Sequence, residues 1–307
     1  MPLLYSSEMA PTALADVLPD RIVSKAAQPA DEPHVHGGED LTPMQAISHG
    51  DVSLQGYPKF QSLAEKREWQ LEHMAAAFRY IAREGLCEGI SGHISVRDPE
   101  NEGAFWTNPL GVHFGMMKKS DMILLDYEGN VIGGNRSRPA NRAGFLIHSA
   151  IHKARSDVHA ACHFHGVHGR AWSVFGRPLD MLTQDSCKLY KNHSVYNAYG
   201  GIVFGEEEGH RIAKALGDGK LCILRNHGLL TVGETVDEAC FLFGLGERLC
   251  KIQLLAEAAA NQGMPKILIS DDEAAYNYKM EADPQICFEE HQPYYQYELA
   301  VGPELKN

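Results

Sequence analysis

The sequence contains no run of about eighteen apolar residues, so no membrane-spanning helix is expected. It has no excess of basic residues. The formal net charge of −12 excludes the basic surface that non-specific nucleic-acid binding requires. No C-x-x-C pair occurs. The seven cysteines (87, 162, 187, 222, 240, 250 and 287) are odd in number and scattered, several in apolar stretches. They read as reduced, mostly buried thiols of a cytoplasmic protein. No G-x-G-x-x-G or Walker loop stands between a strand and a helix, which argues against a doubly wound nucleotide fold. Residues 1–23 lack a continuous apolar segment and carry Glu8, Asp16 and Asp20, unlike a secretory signal. Internal repeats and low-complexity blocks are absent. What remains is an ordinary globular composition, 44% hydrophobic and 22% charged, on a 307-residue chain long enough for a sizeable core.

Patterning divides the chain into three parts. Residues 1–55 are rich in Pro, Asp, Glu, Gly and Ser with little apolar periodicity, and read as a disordered or extended arm. Residues 56–262 alternate strands and helices, the signature of an α/β domain. Residues 263–307 form an aromatic-rich tail that reads as a docking arm on the domain or on a neighbouring subunit. Within the domain, Leu63, Leu71, Met74, Ala75, Phe78 and Ile81 recur at three-to-four spacing and predict a helix over 62–84, stopped by Gly85. Helices are also predicted over 139–155, 166–175, 206–216 and 236–260. The triplet Glu206-Glu207-Glu208 favours a helix N-terminus, and Thr235 with Glu238 begins a capping-box pattern. Strands are predicted at 91–96, 105–107, 122–126, 131–132, 158–165, 201–204, 221–224 and 229–232. Strand–turn–strand units make part of the sheet antiparallel.

The chemistry concentrates in His163-Phe164-His165-Gly166-Val167-His168 and the distant Arg225-Asn226-His227-Gly228. Alternation sets Val158, Ala160, Cys162 and Phe164 on one strand face and projects His163 and His165 from the other. Two imidazoles from a strand and a third from a remote loop suit a divalent metal with an open position. Zinc, iron, nickel and copper all accept imidazole, so the spacing does not choose the metal. The competing reading is a set of ordinary polar residues at a strand end. His34 and His36 share the His-x-His spacing without a strand around them. His148 and His152 have the i, i+4 spacing of a helical zinc pair but lack the Glu of His-Glu-x-x-His, and packing under the sheet is the simpler reading.

Ordered landmarks over roughly residues 65–260 resemble the class II aldolase/adducin superfamily. Gly92-His93-Ile94-Ser95 stands for the family's G-N-x-S, and Asn108-Pro109-Leu110-Gly111 for T-P-[ST]-G. Ser120-Asp121-Met122-Ile123 precedes the hairpin. Arg138-Pro139, His148, His163-Phe164-His165 and Asn226-His227-Gly228 follow in order. The resemblance implies a three-layer α/β/α fold around a mostly antiparallel sheet. It implies a homo-oligomer, most simply a tetramer, with its site near a subunit boundary and a small-molecule substrate. It also implies one divalent metal per subunit, zinc foremost and Fe(II) or another transition metal as alternatives, held by His163, His165 and His227. In the sugar-phosphate aldolases that metal acts as a Lewis acid and stabilises an enediolate.

The sequence departs from that pattern where the aldolases have P-S-S-E. Here the run is Pro139-Ala140-Asn141-Arg142, without the acid/base Glu, and Leu110 replaces a hydroxyl residue. A metal-dependent lyase of aldolase or decarboxylase type is therefore expected, working through an enolate on a non-phosphorylated carbonyl or carboxylate compound. A non-haem Fe(II) oxygenase and an adducin-like binding protein are the alternatives. Retention of all three histidines argues against the adducin-like protein. Substrate contact is assigned to His93, Gly111, Asn141, Arg142 and Gln184, and proton transfer to His168 or Asp185. Arg142 either binds a carboxylate bidentately or faces solvent or a partner subunit. His168 is either an acid/base group or structural, and Gln184 and Asp185 either orient a ligand or touch a neighbouring subunit.

Overall fold

The computed structural model describes residues 41–203 and 205–307. The stretch up to residue 40, including His34 and His36, lies outside the described residues. The elements run α1 (Pro43–Ile47), α2 (Leu63–Arg83), β1 (His93–Arg97), β2 (Ala104–Thr107), β3 (Ile123–Asp126), β4 (Val131–Gly134), α3 (Arg142–Ala154), β5 (Ala160–Phe164), α4 (Val167–Ser173), β6 (His193–Tyr196), α5 (Glu206–Leu216), β7 (Leu221–Leu224), β8 (Gly228–Gly233), α6 (Val236–Ala260), α7 (Asp271–Glu281) and α8 (Pro284–Val301).

The strands form one sheet in the order β4-β3-β2-β1-β5-β8-β7-β6. Every neighbouring pair is antiparallel except β6 with β7. One face of the sheet carries α2 and α6, joined by α8. There Met74, Phe78 and Ile81 pack with Cys162, Phe164 and Phe243. The other face carries α3 and α5, where Ile147, Ile151 and Ile212 pack against Ala161, Leu230 and Val232. This is the three-layer α/β/α arrangement with a mostly antiparallel sheet. Burying a Phe such as Phe78 contributes on the order of 3–5 kcal/mol, judged by typical truncation costs.

The helix limits follow local chemistry. Ser62 caps α2 by accepting the Glu65 N–H, Asn141 caps α3 by accepting the Gly144 N–H, and Gly217 ends α5. Thr235 caps α6 by accepting the Glu238 N–H at 3.0 Å. The reciprocal half of the predicted capping box is different. The Glu238 carboxylate accepts the Glu234 N–H and pairs with Lys220 instead of the Thr235 N–H.

Several expectations are corrected. Leu63 is exposed, because it occupies the first helical position of α2, before the helix reaches the core. Val158 precedes β5 and joins the α3/α5 cluster, whereas Ala160, Cys162 and Phe164 face α2 and α6. Residues 201–203 form a bend and no strand; Phe204 is not described. The strand beside β7 is β6, whose His-Ser-Val-Tyr sequence carries little apolar signal. Within 41–55, α1 is a short helix capped by Thr42. The region after residue 263 holds two helices, and α8 packs on α6 and α2 of its own chain. All seven cysteines are free thiols, six of them buried. No helix among the described residues is long and apolar enough to cross a membrane.

Candidate metal centre

The sheet register builds the site. His163 on β5 pairs with Leu230 on β8 and with His93 on β1. It is 2% exposed and faces the α3/α5 layer with Ala161. Its Nδ1 lies 2.8 Å from the Leu229 carbonyl oxygen. A carbonyl can only accept, so Nδ1 carries the proton and Nε2 keeps its lone pair. His165 follows one residue beyond the end of β5. His227 projects from the β7–β8 turn, where Asn226 takes φ 58°, a left-handed conformation that Asn tolerates.

Each of these three histidines offers one nitrogen, and the three nitrogens lie within 4.8 Å of one another. The Nε2 atoms of His165 and His227 are 3.1 Å apart. Burial holds His163 well below the ordinary imidazole range, and the neighbouring His227, His93 and His165 add to that. Burial also lowers His165, with Arg170 adding to the effect. Burial, then His165, brings His227 down to about 4. All three are neutral near pH 7, with lone pairs free, which is the protonation state a divalent cation requires. The donor set fits such an ion. It is the only group of three metal-ligating side chains found among the described residues.

Three-histidine geometry on this fold leads to known proteins. The class II aldolase and adducin N-terminal domain family matches residues 72–254. This chain belongs to that family. A meiotically up-regulated gene 14 protein of Schizosaccharomyces pombe is 44% identical over 251 residues, covering 82% of this chain and 97% of its own length. Two Streptomyces proteins are each 38% identical over 258 residues, 83% of this chain. One is named 4-hydroxy-3-prenylphenylpyruvate oxygenase/4-hydroxy-3-prenylbenzoate synthase (S. roseochromogenus subsp. oscitans, 91% of its length). The other is named Decarboxylase NovR (S. niveus, 93% of its length). The solved structure of L-fuculose 1-phosphate aldolase from Glaciozyma antarctica PI12 is similar with a TM-score of 0.75 and 41% identity, over 82% of this chain and 96% of that one.

The class II aldolase fold distributes the other predicted residues unevenly. His93 lies beside His163, with ring centroids 5.0 Å apart. Gly144, in the first turn of α3, touches it: a Cβ there would stand 2.5 Å from His93 Cδ2. Asn141 spends its side chain on capping α3. Arg142 is exposed at the first helical position. Gly111 has φ 78° and its carbonyl accepts from Arg138, while the Leu110 N–H donates to the Pro139 carbonyl. The 108–111 and 138–142 loops are thus joined at the start of α3.

His168, Asp185 and Gln184 are not brought to the three histidines within this chain. His168 Nδ1 lies 3.7 Å from Glu247 Oε2, beside a cavity of about 220 Å³ that Arg248 and Lys251 also line. Gln184 donates to Glu281 on α7, and Asp185 is exposed beside it. The polar segment 184–189 is a 3₁₀ turn, and its Lys188 is paired with Glu281 and Glu290.

The supporting roles of Glu247, Glu88, Arg170 and Ser95 escaped sequence reasoning. Glu247 on α6 accepts the His168 and Gly169 N–H groups at 3.1 and 2.9 Å. It caps α4 from a distant helix and thereby anchors the backbone just after His165. A Cβ on Gly166 or Gly169 would overlap its carboxylate, so the G-x-x-G spacing was the available signal. Glu88 pairs with Arg170 at 2.9 Å, and both act electrostatically on His165. Ser95 lies between His148 and His152, at 2.6 Å from His148 Nδ1 and 2.8 Å from His152 Nε2. These two helical histidines therefore hold a hydroxyl under the sheet, as the simpler sequence reading has it.

Proposed function

We propose that this chain is a metal-dependent carbon–carbon lyase of decarboxylase or aldolase type, acting on a non-phosphorylated carbonyl or carboxylate compound. The observation that carries the reading is the convergence of three neutral imidazoles beside joined loops that lack the phosphate-facing hydroxyls and the acid/base Glu. His163, His165 and His227 would hold the ion, zinc foremost. When bound, a divalent ion supplies Lewis acidity toward a substrate carbonyl or carboxylate oxygen.

The chain's own residues do the rest. The Leu229 carbonyl fixes the His163 tautomer. Glu247 steadies the His165 segment through α4. Arg142, exposed at the head of α3, would pair with a substrate carboxylate by two parallel N–H donors. In decarboxylation the carboxylate carbon–carbon bond breaks and carbon dioxide leaves. The electron pair stays on the adjacent carbon, delocalised toward the carbonyl oxygen, until a proton arrives there. The relative named as a decarboxylase supports this reading. The relative whose name includes an oxygenase favours a second one, oxidative chemistry on Fe(II) at the same three histidines. An adducin-like scaffold is disfavoured by the intact histidine set.

We also propose a homo-oligomer, most simply a tetramer, with the site near a subunit boundary. Val167, Val174 and Phe175 on and after α4, Ile90 in the turn before β1, and Tyr199 and Ile202 before α5 are all exposed. A contact with a second copy of the chain would cover such apolar groups.

The test is a panel of 2-oxo acids, hydroxy acids and fuculose 1-phosphate, with protein loaded with zinc or with Fe(II), in air and without oxygen. Carbon dioxide or aldehyde release that is independent of oxygen is expected with the unphosphorylated acids. Oxygen uptake stoichiometric with turnover would favour the oxygenase. Efficient cleavage of fuculose 1-phosphate would overturn the substrate assignment.

A further inference from the structure

His93, His148, Ser95 and His152 form one buried hydrogen-bonded chain. His93 Nδ1 is 2.8 Å from His148 Nε2, His148 Nδ1 is 2.6 Å from Ser95 Oγ, and Ser95 Oγ is 2.8 Å from His152 Nε2. His152 Nδ1 ends the chain at 3.3 Å from the Val158 carbonyl oxygen. All four side chains are at most 4% exposed. The geometry is a strand–helix zipper. His93 and Ser95 are two apart on β1, a spacing of about 6.6 Å on one face. His148 and His152 are four apart on α3, a rise of about 6 Å on one face. The two repeats match, so the groups interleave in the order 93, 148, 95, 152.

The carbonyl end gives this chain a direction. A carbonyl cannot donate, so His152 Nδ1 carries a proton toward Val158 and its Nε2 is bare. Ser95 must then donate to that Nε2, and its oxygen accepts from His148 Nδ1–H. His148 Nε2 is bare and accepts from His93 Nδ1–H. The proton on His93 is thereby fixed on Nδ1, which leaves Nε2 with a lone pair. Among the described residues, no protein group hydrogen-bonds to that Nε2. It lies beside Gly144, on a ring in contact with His163.

We propose that this relay holds His93 as an acceptor-only group beside the three-histidine site, where it takes a substrate hydroxyl and rejects an anionic oxygen. The family motif has Asn at this position, and an amide both donates and accepts. A neutral imidazole with its proton committed inward can only accept. A phosphate or carboxylate oxygen placed there would meet a lone pair, whereas an O–H would donate to it. The inference rests on the proposed lyase site for its substrate, but the proton arrangement stands independently of the reaction.

Neutron crystallography of the deuterium-exchanged full chain reads the arrangement directly. Deuterium is expected on Nδ1 of His152, His148 and His93, on Ser95 Oγ pointing to His152, and not on His93 Nε2. Deuterium on His93 Nε2 with a bare His152 Nδ1 would overturn the proposal. The variant Ser95→Ala removes the link. It should retain wild-type metal content while deuterium appears on both nitrogens of His93. Full retention of the Nδ1 form in a folded Ser95→Ala variant would show that the relay does not set the tautomer. Loss of metal binding in the wild-type protein would instead count against the lyase reading and leave the neutron result standing.

Discussion

Glu247 accepts hydrogen bonds from the backbone N–H groups of His168 and Gly169 at 3.1 and 2.9 Å, although the two segments are some eighty residues apart in sequence. A buried carboxylate from α6 thus completes the first turn of α4, and burial raises its pKa against the opposing effect of those two donors. Removing it strands two donors. Glu247→Ala is expected to cost about 1–3 kcal/mol of stability, and Glu247→Gln, which keeps one acceptor oxygen, less. Urea denaturation measures both. An alanine variant as stable as wild type would show that the cap is dispensable.

Gly144 stands in the first turn of a helix, where Ala ordinarily gains about 1 kcal/mol. Here a Cβ would stand 2.5 Å from the His93 ring. Gly144→Ala is therefore predicted to lower the melting temperature despite its better propensity, and to shift the His93 ring. A raised melting temperature with unchanged catalysis would contradict the close packing described.

Acid should weaken the fold. Burial holds His291 down to about 4, with Asp237 opposing and His73 adding to the effect. Burial, then Arg97, holds His152 down to about 3. In the unfolded chain both titrate near about 6.5. Between these values the unfolded chain binds more protons, so stability falls as pH drops from about 6.5 toward 4, by up to about 1.4 kcal/mol per pH unit for each group. The stabilising contribution is complete above about pH 6.5. Asp237 acts in the same direction: despite its burial, His73 lowers its carboxyl, and protonation would cost the fold that pairing. Urea midpoints at about pH 7.5 and about pH 5 check this, and equal midpoints would refute it.

Arg142 and His168 should respond differently. Arg142 is exposed at the head of α3, while His168 is turned toward Glu247. Arg142→Ala is predicted to raise KM for a carboxylate substrate about tenfold, the loss of roughly 1.4 kcal/mol expected for a charged hydrogen-bonding pair. His168→Gln should change kcat and KM by less than about threefold, because the half-exposed His168 ring is turned toward Glu247 and the contact, at 3.7 Å, is long. Steady-state kinetics separates them. A collapse of kcat in His168→Gln would return that residue to the reaction.

Much of this architecture was legible in sequence because it is local. Ser62 and Thr235 mark helix starts, and the alternation around Cys162 and Phe164 marks the central strand, whereas Asn141, read as a substrate contact, is the cap of α3. The pairing of His163 with His227 was visible as motifs, though not as a distance. Contacts that join remote segments left little trace. The Glu247 cap shows only as two glycines. The zipper of His93, Ser95, His148 and His152 is plain only once β1 and α3 are known to lie together. Strand β6 escaped because its side chains are half polar, and α8 because its buried groups, such as Ile286, Cys287 and His291, are spread among polar neighbours.

Metal content tests the central claim most directly. Protein purified without added metal, then dialysed against zinc and washed, should retain about one ion per chain by elemental analysis, as three imidazole ligands with an open position lead one to expect. His163→Ala, His165→Ala and His227→Ala should each lose most of it while circular dichroism stays native. Absence of metal from folded wild-type protein, or full retention in His163→Ala, would contradict the account.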